Sequence, residues 1–74
     1  MVKVLETAGQ VFPFPLVEAK ASLETLTSGE ELEIRFDCTQ GTDSIPRWAA
    51  EEAHTVTNFE QVGDAAWTIT VQKK

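Results

Sequence analysis

The sequence predicts an α/β chain built as an α+β two-layer sandwich, ordered β-α-β-α-β-β, with both helices on one face of a four-stranded mixed sheet. Two segments with the apolar spacing of helices, around 16–26 and 45–53, each follow a short strand-like run. Leu32-Glu33-Ile34-Arg35-Phe36 and Trp67-Thr68-Ile69-Thr70-Val71 alternate apolar and polar residues with the period of strands. Strand–helix–strand units favour parallel neighbours joined by right-handed crossovers. Two helices against one sheet face leave the other face partly wet.

The elements follow in order. Val2 to Leu5 reads as a strand with Val2 and Val4 on one face, interrupted by Gly9-Gln10. Phe12-Pro13-Phe14-Pro15 opens the first helix. Neither proline can donate an N–H, which a helix tolerates in its first turn, where donors lack partners. Leu16, Ala19, Leu23 and Leu26 share a face, with Glu18, Lys20 and Glu24 off it. Ser28-Gly29 is expected to end the helix, with Gly29 just past its last turn. After the strand Leu32–Phe36, Asp37 to Gly41 forms a loop. Thr42-Asp43-Ser44 supplies cap residues for a second helix, with Pro46 in its first turn and Ile45, Trp48, Ala49 and Ala53 on its buried face. Strands Thr55–Glu60 and Ala66–Gln72 complete the order, joined by a hairpin turn at Gly63-Asp64, with Trp67, Ile69 and Val71 pointing inward.

Seventy-four residues suffice for one domain with a small core. The apolar fraction of 42% argues against disorder, and the net charge of −6 argues against nucleic acid and anionic membrane surfaces. No apolar run approaches a bilayer span, so no direct membrane insertion is expected. Met1 to Glu6 lacks the apolar core of a signal peptide. Cys38 is the single cysteine, so no internal disulfide can form, and a cytoplasmic location fits.

A helix N-terminus concentrates N–H groups and positive potential, which stabilise a thiolate placed there. Position 12, just before Pro13, is such a place, yet Phe12 can act as neither nucleophile, acid, base nor ligand. Taken alone, Phe12 reads as an aromatic staple that fixes the chain onto the helix or the sheet edge. Cys38 follows the second strand. If strands one and two are parallel, Cys38 and position 12 lie at the same sheet edge, where ligands bind in open α/β sheets. Cys38 then reads either as a second thiol or as a small, partly buried cysteine. Asp37 beside it weakens the nucleophile reading, because a carboxylate disfavours a neighbouring negative charge. Lys20 reads either as a solvated helix residue or as a cation for an anionic sulfur species or an acidic partner, with Arg35 and Arg47 as possible companions. His54 has no second ligand at metal spacing and reads as a helix C-terminal group. Trp48 reads as core. No Ser-His-Asp set and no phosphate loop can be argued, so no cofactor and no metal are expected.

Gly9-Gln10-Val11-Phe12-Pro13-Phe14-Pro15-Leu16 resembles the Gly-x-x-Cys-Pro-x-Pro-Leu signature of the TusA/SirA-like sulfur carriers. The likeness continues through Gly29-Glu30-Glu31-Leu32, Asp37-Cys38-Thr39 and Ile45-Pro46-Arg47-Trp48-Ala49, and covers nearly the whole chain as a single domain, 1–74. Phe36-Asp37-Cys38-Thr39-Gln40, Trp48-Ala49-Ala50-Glu51-Glu52 and Gly63-Asp64-Ala65-Ala66-Trp67 resemble the YeeD (TsuB) branch most. The resemblance implies cytoplasmic sulfur handling: a persulfide carried on the motif cysteine and passed to sulfur-transfer proteins, or thiosulfate processed beside a YeeE-type membrane thiosulfate transporter. It places the motif cysteine at Phe12, with Gly9, Pro13, Pro15 and Lys20 as supporting motif residues and Cys38 as a candidate second thiol. With Phe12 there, persulfide chemistry at this position is expected to be absent. The alternative is a non-catalytic interaction module that docks through the Phe12–Pro15 helix start. A thiol enzyme working through Cys38 alone ranks last. Relatives of this type usually carry Gly where Ala53 precedes His54. If Ala53 must be left-handed, the cost is on the order of 1 kcal/mol.

Overall fold

A computed structural model describes residues 2–74. The order is β1 (Val2–Glu6), α1 (Phe14–Glu24), β2 (Glu31–Phe36), α2 (Gly41–Glu51), β3 (Thr55–Gly63) and β4 (Ala66–Gln72), as the periodicity predicts. The sheet runs β1-β2-β4-β3. β1 and β2 are parallel, with Leu5 opposite Ile34, and β4 lies antiparallel between β2 and β3. The mixed sheet follows from two kinds of link. A helix returns the chain for a parallel neighbour, whereas the tight β3–β4 turn allows only an antiparallel one.

The alternation of β2 and β4 sends Leu32, Ile34, Phe36, Ile69 and Val71 to one face, where they are buried. Ala19 and Leu23 of α1, and Ile45, Trp48 and Ala49 of α2, pack on them as one core. Each fully buried Leu or Ile contributes about 1.5–3 kcal/mol. Phe36 stacks on Trp67, ring centroids 5.8 Å apart, and closes the core at the end where both helices begin. Gly41 permits this closure. A β-carbon there would lie 2.8 Å from the Phe36 ring, so α2 can start close against it only as glycine.

Element ends differ from the sequence expectation in five places, each with a local cause. α1 stops at Glu24 rather than running past Leu26. Thr25 turns its hydroxyl onto the Ser22 carbonyl and Leu26 N–H bonds Leu23, a tighter turn that ends the helix. Leu26 still packs against the core, and Gly29, at φ +90°, serves the turn into β2 instead of the helix terminus. α2 begins at Gly41, one residue before the expected caps, with no side-chain cap bond. Its first turn is wound by Gly41 N–H to Cys38 O and Thr42 N–H to Thr39 O. Pro46 therefore sits in the second turn, where it leaves the Thr42 carbonyl without its helical donor. Ala53 is exposed rather than buried, because it lies beyond the helix at φ +61°. Ala53 N–H bonds Ala50 O and His54 N–H bonds Ala49 O, the two bonds of a Schellman ending that prefers glycine at this position. The His54 contribution to the ending is thus its backbone, and its Nδ1 accepts the Lys74 N–H at 3.0 Å. The hairpin turn is Asp64-Ala65, shifted by one from Gly63-Asp64, since Gly63 still pairs with Ala66.

Candidate functional site

Because β1 and β2 are parallel, both chains leave the sheet at the same edge, and both helices start there. The segments that follow the two strands face each other across a shallow depression of about 400 Å³ lined by Gly9, Gln10, Val11, Phe12, Asp37, Cys38 and Gln40. The sequence expectation that position 12 and Cys38 share an edge is met by this geometry. Cys38 is partly buried and is a free thiol.

Three hydrogen bonds bind the two exits together. Buried Thr7 donates to the Arg35 carbonyl through its N–H at 2.8 Å and its hydroxyl at 2.6 Å. Gly9, at φ +89°, donates its N–H to Asp37 Oδ2 at 2.9 Å. The bend at Gly9 is open to residues without a β-carbon, and it turns the chain toward the start of α1. Pro13 is the helix N-cap residue, with no side-chain cap bond, and Pro15 is buried in the first turn. Phe14 N–H bonds the Val11 carbonyl and Val17 N–H bonds the Pro13 carbonyl. Two prolines in this stretch remove two donors, so the start of α1 has few N–H groups left to offer.

The surface around the helix start is apolar. Val11, Phe14 and Val17 are 68%, 56% and 55% exposed, while Phe12 is partly covered. Phe14 and Val17 are three residues apart and so lie side by side on α1. Sequence reasoning placed the buried stripe of this helix and missed the second apolar stripe on its outer side. The signal was present: Phe14 and Val17 interrupt what should be the polar face of an amphipathic helix.

Lys20 stands apart from this depression. It lines a groove between the helices with Leu23, Glu24, Trp48, Glu52, His54 and Lys73. Arg35 and Arg47 do not join it there. Arg35 pairs with Glu33 at 2.9 Å and Glu6 at 3.9 Å, and Arg47 pairs with Asp43 at 2.7 Å. Trp48 is buried in the core and lies 5.8 Å from the His54 ring. Among the described residues, no group of three or more His, Cys, Asp or Glu side chains could hold a metal ion. No helix among them is long and apolar enough to cross a membrane.

A helix start beside a second strand exit, in a two-layer fold of this size, agrees with what comparison finds. Residues 3–73 match the family model described as sulfurtransferase TusA. The chain belongs to the TusA family. It is 60% identical over 73 residues to TsuB of Escherichia coli (strain K12), described as a candidate sulfur carrier protein; the match covers 99% of this chain and 97% of that one. An Archaeoglobus fulgidus protein described in the same way is 38% identical over 72 residues, covering 97% of this chain and 82% of the other. A third protein so described, from Thermotoga maritima, is 34% identical over 74 residues, covering 100% of this chain and 94% of the other. The fold is shared with the crystal structure of a SirA-like protein from Desulfitobacterium hafniense, with a TM-score of 0.85, 19% identity and coverage of 97% and 96% of the two chains.

Proposed function

We propose that this TusA-family chain works in cytoplasmic sulfur trafficking, as a domain that engages sulfur-transfer proteins but carries no persulfide at the start of α1. One observation supports this reading above the others. Phe12, an unreactive aromatic, lines the depression that faces Cys38 at the start of α1, where the family signature that this segment resembles carries its cysteine. A persulfide forms when a thiolate attacks the sulfane sulfur of thiosulfate. A new S–S bond is made, the old one breaks, and sulfite leaves with its electron pair. A benzyl side chain has no atom that can begin this step.

The partners in this reading are sulfur-transfer proteins and a YeeE-type membrane thiosulfate transporter. The experiment is to make Phe12→Cys and incubate it with thiosulfate or a persulfide donor. Intact mass should show the gain of one sulfur atom in the variant and none in the original chain. A variant that stays at its unmodified mass with every donor removes the carrier reading.

A second reading is favoured by the exposure of Phe14 and its neighbours: a non-catalytic docking module that uses Phe12–Pro15 as an aromatic anchor. Titration of a YeeE-type partner with the Phe14→Ser variant checks it. Binding should weaken by about tenfold or more, with folding stability changed by less than about 0.5 kcal/mol. Unchanged affinity would rule out the anchor.

A further inference from the structure

The segment 8–13 carries residue 12 and has little to hold it. Ala8, Gly9, Val11 and Pro13 are exposed, so packing fixes only Gln10 and Phe12 in part. Its hydrogen bonds are almost all local: Ala8 N–H to Glu6 Oε1 at 3.2 Å, and Gln10 N–H to Thr7 O at 3.1 Å. The Gln10 side-chain oxygen is buried with no partner. Among the described residues, one hydrogen bond ties segment 8–13 to a distant part of the chain, the Gly9 N–H to Asp37 Oδ2. Asp37 is the residue next to Cys38, so the same short segment supplies the tether and the facing thiol.

We propose that Asp37 is the positioning residue of this site: by accepting the Gly9 N–H, it holds the loop that carries residue 12 across from Cys38 at the start of α1. The assignment rests on the sulfur-trafficking reading for its chemical consequence. Its geometric content stands by itself. A side-chain oxygen on a short stem suits the task because it can accept a backbone N–H close to its own main chain. The bond falls at Gly9, near the start of the free segment, where it adds to the Thr7 anchor and fixes the direction in which the loop leaves β1. Losing that bond leaves the loop anchored only at Thr7 and at the first turn of α1. A small displacement of a reacting group is enough to slow a transfer step severalfold or more.

The test uses Asp37→Ala, which removes the acceptor, and Asp37→Asn, which keeps an oxygen in place. In the otherwise unaltered chain, amide exchange measured by NMR should speed up about tenfold at Gly9 in Asp37→Ala and return most of the way in Asp37→Asn. The denaturation midpoint should hardly move. In the Phe12→Cys background, uptake of sulfur from thiosulfate should slow about fivefold or more with Asp37→Ala and recover with Asp37→Asn. Unchanged exchange and uptake in Asp37→Ala would overturn the assignment. So would an Asp37→Asn variant as impaired as Asp37→Ala, which would make charge rather than the acceptor the cause. If Phe12→Cys takes up no sulfur at all, the trafficking reading falls, while the exchange measurements still decide the tether.

Discussion

The two ends of the sheet are held in different ways. At the end where α1 finishes, the chain is stitched by side chains and backbone together. Lys73 Nζ donates to the carbonyls of Glu24 at 3.3 Å and Leu26 at 2.7 Å, supplying the cation that a helix C-terminus favours. Gly29 N–H bonds Lys73 O and Lys73 N–H bonds Glu30 O, both at 2.8 Å. Gln72 adds a bond to the Gly29 carbonyl, and Glu30 accepts from both the N–H and hydroxyl of Thr27. At the other end, where α1 begins, segment 8–13 has one hydrogen bond among the described residues to a distant part of the chain, the Asp37 carboxylate, and apolar side chains stand exposed beside it. Local stability is low where a surface must meet a partner and high where nothing is asked of it. The contrast falls at the end where the proposed site lies, and it is drawn without reference to any sulfur chemistry.

The strongest way to break the contrast is Phe36→Ala. Phe36 is the buried ring beneath the lightly bonded end, against Trp67 and α2. Its loss should cost about 3–5 kcal/mol, read as a large fall in the urea midpoint. In a domain this small, that is a large share of the whole stability. A small effect would mean that hydrogen bonds, not packing, hold this end. Lys73→Met comes next. It removes the cap from α1, and should cost about 1–2 kcal/mol with faster amide exchange confined to the end of that helix. Equal loosening at Gly9 would dissolve the distinction between the ends. The smallest effect is expected from Glu30→Gln. The Thr27 N–H and hydroxyl, with Lys73 nearby, hold the Glu30 carboxyl below its ordinary range. A depressed folded-state pKa means that the stabilisation is present above the unfolded value and lost as pH falls through the folded one. The variant should therefore be slightly less stable than the original at neutral pH, the two converging in acid. A difference that grew on acidification would contradict that sign.

Much of this molecule is legible in its sequence because the period of the apolar residues is a local signal. Ile34 and Ile69 announce their face by alternation alone. Parallel β1 and β2 follow from the crossover rule, and with them the common edge of Phe12 and Cys38. What could not be read depends on partners far along the chain. Lys73, forty-seven residues from Leu26, supplies the cation that meets the carbonyls past the end of α1. The Gly9–Asp37 bond spans twenty-eight residues and leaves no trace in composition or period. Lys20, a supporting motif residue by resemblance, lines the interhelical groove, a placement that depends on how α1 packs against α2. At Ala53 the apolar spacing misled: it put the residue on the buried face of α2, whereas only the glycine usual in relatives pointed to the exposed, left-handed ending that is found.

The position of β4 has a consequence for how the chain is made. It is the last strand in sequence and an inner strand of the sheet, paired on both sides. A nascent chain that has emerged as far as β3 has two strands that cannot yet meet, and the inward faces of Leu32, Ile34 and Phe36 await a neighbour. The open edge of β2 is then free to accept any passing strand. Emergence of β4 converts that edge into an interior, so the sheet closes in one step when this strand enters between β2 and β3.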